Sequence, residues 1–135
     1  MANVVTTQVL VDGPRNVVIK LTGILDTADV TATSLVDLTT LSAVDTAGST
    51  PTRLIVDKIS YNVEAGLAVN LAWDATTDVT FASLVNSGDD LEFKKFGGLY
   101  NTEAAGVTGA IMYSTQGWAA GATFSFNVVL EMRKK

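Results

Sequence analysis

The sequence predicts an all-β protein of about eight antiparallel strands, closed as a sandwich or barrel. Three observations predict it: apolar and polar residues alternate with period two, the alternating segments are rich in β-branched and aromatic residues, and glycine-bearing turns separate them at regular spacing. With 135 residues the chain has the commonest size for one domain. No proline-rich linker, internal repeat or shift of composition marks a second, so residues 1–135 are read as a single domain. At this length a core can form without disulfide or metal staples.

In chain order, the first strand is expected over Val4 to Val11. The turn Asp12-Gly13-Pro14-Arg15 follows, then a strand in which Val17, Ile19 and Leu21 alternate with Val18, Lys20 and Thr22. Residues 27–52, rich in Thr, Ala, Asp and Ser, are harder to read. Leu35, Leu38 and Leu41 are spaced by three, as in a helix, but the many β-branched residues cost helix propensity, which favours a short strand near Ser34 to Leu38 and then a loop. In Leu54 to Val63 the apolar residues change parity at Asp57-Lys58, which calls for a bulge or a crossing between sheets. After the loop Glu64-Ala65-Gly66, Leu67, Val69, Leu71 and Trp73 form one face of a strand and place Trp73 in the core. Further strands are expected over Val79 to Val85, Leu91 to Phe96 and Val107 to Thr115, with Ser87-Gly88-Asp89-Asp90 as a turn. The clearest alternation comes last, where Ala122, Phe124, Phe126, Val128, Leu130 and Met132 share a face.

Composition removes much chemistry. There is no Cys and no His, so thiolate nucleophiles, disulfides, Cys-based metal sites and the commonest general base are all lacking. The net charge of -5 opposes tracking a phosphate backbone, so nucleic acid is not an expected partner. The one basic cluster, Arg133-Lys134-Lys135, reads as a solubilising tail or an electrostatic contact with an acidic partner. Met1 to Gln8 has neither the basic nor the apolar region of an export signal, and no apolar run approaches the about 18 residues of a membrane span.

Carboxylates remain. Asp74, Asp78, Asp89, Asp90, Glu92 and Glu103 could in principle supply an acid and a base, but they fall in expected turns or on polar strand faces, where Asp is common for conformational reasons. The stretch from Asp74 to Asp78 lacks the ligand pattern of a calcium loop, and Phe96-Gly97-Gly98-Leu99 lacks a phosphate-binding pattern and reads as a turn. Hence no catalytic residue, cofactor or metal is expected. Tyr100 and Trp118 fall in loops, where an aromatic residue either caps the end of a sandwich, contacts a partner or stacks on a sugar. A chain that is 47% hydrophobic with mean hydropathy +0.31 leaves apolar surface for another copy or another protein to cover.

Four segments carry a resemblance: Thr7 to Asn16, Gly66 to Ala75, Phe96 to Leu99, and Tyr113 to Trp118. Together they resemble small virion proteins of tailed bacteriophages, above all the capsid decoration or cement proteins. What the resemblance implies is a jelly-roll-like β-sandwich, commonly a homotrimer, made in the host cytoplasm and seated on the outside of the virion head. It would clamp neighbouring subunits of the major capsid protein and bring no catalytic residues. Tyr100, Trp118, Val4 and Val5 are then the expected partner contacts. The competing reading is a lectin-like, carbohydrate-binding sandwich that uses Trp118 and Tyr100 as stacking platforms.

Overall fold

The computed structural model describes residues 3–38, 41, 48, 54–74, 78–85, 88–99, 110–121 and 123–134. They form nine strands: β1 (Val4–Asp12), β2 (Asn16–Leu25), β3 (Thr33–Val36), β4 (Leu54–Val63), β5 (Ala68–Trp73), β6 (Val79–Val85), β7 (Gly88–Glu92), β8 (Ile111–Gln116) and β9 (Phe124–Lys134). Two antiparallel sheets result, ordered β1-β2-β9-β4-β7 and β3-β8-β5-β6. Leaving β1 aside, the chain passes between sheets at every connection except the β5-β6 hairpin, so that 2-9-4-7 faces 3-8-5-6, the double Greek key of a jelly-roll-like sandwich.

Alternation explains how the sheets pack. On β2, Val17, Ile19, Leu21 and Leu25 are buried, and on β9 so are Phe126, Val128, Leu130 and Met132. Val69, Leu71 and Trp73 of β5 meet them from the other sheet in one continuous core. Phe81 stacks on Trp73 with ring centroids 4.2 Å apart. The parity change in β4 is a bulge between Val56 and Lys58; β4 pairs with β9 on both sides of it, so the strand does not cross between sheets. The extra residue lets Leu54 and Val56, then Ile59 and Val63, all face inward.

Three expectations are corrected. The strand expected over Leu91 to Phe96 lies earlier, at Gly88–Glu92, and Lys94–Phe96 form a 3-10 turn. Asp89 and Asp90, expected in a turn, pair with Tyr61 and Ser60 of β4. The cause is the pair Gly97-Gly98, with φ of 91° and 92°: left-handed backbone ends the extended run early, and the Gly98 N–H closes the turn onto the Phe93 carbonyl. Next, the strand expected over Val107 to Thr115 begins at Ile111, with Ala110 outside it, while residues 107–109 lie outside the described residues. The third correction concerns the basic cluster. Arg133 and Lys134 belong to β9, where alternation turns Lys134 to the inner side, with its side chain fully buried. Its ammonium pairs with Asp12, and Arg133 pairs with Asp57 at 2.8 Å. Two of the three basic residues are thus structural; Lys135 lies outside the described residues.

Candidate functional site

A sandwich leaves four strand edges, and each presents unpaired backbone N–H and C=O groups that invite another strand. Two are blocked in recognisable ways, and a third, at β6, is a seven-residue strand without charge or proline. β7 carries the exposed Asp89, Asp90 and Glu92, and β3 is only four residues long. The longest of the four, at β1, is open. It runs for nine residues with no charge or proline before Asp12. Val4, Val9, Leu10 and Val11 are 46–55% exposed, and Ile24, which pairs with Val4, is also exposed. Among the described residues, only Val85 joins them as an exposed large hydrophobic side chain.

The strip has a simple origin. One sheet has five strands and the other four, so β1 is left over at the margin. Thr7 and Val9 pair with the inward residues Leu21 and Ile19, yet both are exposed. A bulge between Val9 and Val11 sets Leu10 out of register. Consequently apolar side chains flank the free backbone edge on both sides, a chemistry suited to adding a strand or covering the edge with another protein.

Both ends of β1 are fastened. The Asn3 carboxamide oxygen accepts from the backbone N–H groups of Asp26 and Thr27 at 2.7 and 3.0 Å, and its amide donates to the Ala28 carbonyl at 2.9 Å. At the far end Asp12 holds the buried Lys134, and the Gly13 N–H closes the hairpin on the Asn16 carbonyl. A strand so held is a preorganised template, which lowers the entropy lost on docking.

The residues expected as contacts separate in space. Val4 lies on the open strip, whereas Val5 faces inward and packs partly buried against the core. Trp118 is also half-buried against the core, and its backbone N–H donates to the Asp29 carboxylate at 3.1 Å. That carboxylate also accepts from the Thr115 hydroxyl, so Trp118 caps one end of the sandwich. Tyr100 lies outside the described residues. Val9, Leu10 and Val11 were part of a strand in the sequence reading, but alternation could not show that the opposite sheet stops short of them.

The strand carboxylates lie on β1, β4, β7 and β9, and the other described ones in the connections between strands. Among the described residues no group of three His, Cys, Asp or Glu side chains is placed to hold a metal ion, and Glu103 lies outside them. Asp26 is held below the usual carboxylate range by the Thr123 hydroxyl, a bond that ties together two strand connections. Among the described residues no helix is long and apolar enough to cross a membrane. No protein-family model and no curated protein sequence matches this chain.

Proposed function

We propose that this chain is a non-enzymatic structural protein of a tailed-phage virion that decorates the outside of the head and clamps neighbouring major capsid subunits. The observation that carries the reading is the open β1 edge with Val4, Val9, Leu10 and Val11 exposed along it. An isolated soluble protein gains nothing from such an edge and risks aggregation through it, whereas a protein that works only when seated on another uses it as its seat. The resemblance in the sequence supplies the identity of the partner. Association as a trimer fits the same role, because three linked copies can raise avidity by roughly 10² to 10⁴ over one without any new type of contact.

The test is co-sedimentation of purified protein with phage heads stripped of it. Val9→Lys and Leu10→Lys place charges on the edge without touching the core, and both should lose head occupancy while keeping the wild-type fold. Trp118→Ala should lower thermal stability more than it lowers occupancy. If the wild type does not sediment with heads, or if both lysine variants bind as well as wild type, the reading is wrong.

A further inference from the structure

We infer that the outward face of the β3-β8-β5-β6 sheet is the surface through which copies of this chain associate. That reading of function includes self-association as a trimer; the inference adds a pairwise contact between copies and is tested apart from any capsid. The observation is a segregation of charge. The chain carries 14 acidic and 9 basic residues, yet β3, β5, β6 and β8 contain no Asp, Glu, Lys or Arg. Every strand of the other sheet has at least one. The nearby charges Asp37, Asp74 and Asp78 sit just beyond the strands at one end of the sheet, and Asp29, hydrogen-bonded to Thr115 and the Trp118 N–H, sits at the other. A neutral centre with charge only at the margin is how protein interfaces are arranged.

The side chains on this face are small and already satisfy one another. Register sets Gln116, Ala68 and Val85 in one row, Ser114, Asn70 and Ser83 in the next, and Met112, Ala72 and Thr80 in a third. Across the middle, the Ser83 hydroxyl donates to the Asn70 carboxamide oxygen at 2.7 Å, and the Asn70 amide donates to Gln116 at 3.3 Å. Polar groups that already bond each other lose less when water is removed. A shallow depression lined by Leu67, Ala68, Val85 and Gln116 borders the face. With so little side-chain relief, a second flat sheet can approach to the usual spacing of about 10 Å.

The occupant is a second copy and not the shell, for an electrostatic reason. A different protein can offer countercharge, so nothing requires its footprint to avoid both signs. A copy with net charge -5 brings its own charges to any self-contact, and neutrality is what lets like surfaces meet. Area then sets the strength. Four strands at about 4.8 Å and six residues at about 3.3 Å cover a patch roughly 20 Å on a side. That is less than the roughly 800 Å² per partner of a standard interface. Association through this face is therefore concentration-dependent, and because the face meets itself it closes as a two-fold pair.

Sedimentation velocity over micromolar to millimolar protein tests the inference, with circular dichroism confirming that each variant is folded. The wild type should gain mass with concentration. Ser114→Lys and Ser114→Glu should each raise the dissociation constant by about tenfold or more, because either charge meets its own copy. Gln116→Lys, at the exposed end of β8, serves as well if the Ser114 variants do not fold. Asn127→Lys, on the outward face of the other sheet, should behave as wild type. A wild type that stays monomeric at the highest concentration overturns the inference, as do Ser114 variants of unchanged mass. So does loss of one sign only, which marks a partner with charge of its own. Val9→Lys and Leu10→Lys should keep the wild-type mass, so failure here and failure of head binding are read separately.

Discussion

Gly23→Ala is expected to destabilise the fold although the backbone at Gly23 is ordinary extended strand. Gly23 lies on the inner side of β2 directly opposite Phe126 of β9. A Cβ there would sit 2.3 Å from Cζ and 2.5 Å from Cε1 of that ring, where carbon atoms need about 3.5–4.0 Å. Phe126 is 1% exposed, so the ring has no solvent to move into. Such overpacking costs about 1–3 kcal/mol. Phe126→Ala alone should cost about 3–5 kcal/mol through lost burial and the cavity left behind. Once the ring is gone, alanine at 23 fills space and restricts the unfolded chain, so Gly23→Ala should become neutral or stabilising by up to about 1 kcal/mol. Urea unfolding followed by the fluorescence of Trp73 and Trp118 measures all four corners of the cycle. The double variant should be more stable than the sum of the single changes by about 1–4 kcal/mol. Additivity within about 0.5 kcal/mol would refute the idea that this glycine exists to make room for the ring.

Other outcomes follow from particular contacts. Asp12→Ala removes a partner of the buried Lys134 ammonium and should cost about 3–5 kcal/mol, while replacing both residues by apolar ones of similar size should restore most of the loss; equal damage from both changes would contradict this. Gly117→Ala should lower the melting temperature sharply, because φ is +100° and a Cβ would lie 2.3 Å from the Gly66 carbonyl oxygen; calorimetry checks it. Burial pushes the Tyr113 hydroxyl above its usual pKa of 10.0. The folded form then holds its proton longer than the unfolded form, so this contribution is complete below pH 10 and is lost as pH rises through the folded value. Tyr113→Phe should flatten that alkaline fall in urea titrations. At the acid end, the Asp26 contribution is present above the unfolded carboxylate value and is lost as pH falls through the lower folded one, and Thr123→Val should weaken it.

The parts of this fold legible in the sequence are those set by local alternation. The faces of β2, β5 and β9, the bulge at Asp57-Lys58 and the core position of Trp73 all follow from which residues can share a side. The position of β7 was not legible, because Leu91 to Phe96 has strand-like residues and only the left-handed Gly97-Gly98 pair, bonded back to Phe93, ends the run early. The basic cluster misled for a similar reason: lysine is ordinarily solvated, but Lys134 continues the inward series Val128, Leu130, Met132, and Asp12 compensates it from a distant hairpin. Part of the exposed β1 strip proposed as the seat was also visible in outline. Val4 could be named from sequence, whereas Val9, Leu10 and Val11 are exposed only because one sheet is a strand wider than the other. The absence of charge from β3, β5, β6 and β8 was written in the sequence, but it acquires meaning only once those four strands are known to share a sheet.

The most direct test of the central claim is a density map, by electron cryo-microscopy, of heads bearing this protein compared with heads lacking it. The account predicts added density on the outside of the shell, shaped as a β-sandwich, with the β1 edge against the major capsid protein. Density on the inner surface, no added density, or a seated protein whose β1 edge faces solvent would contradict it.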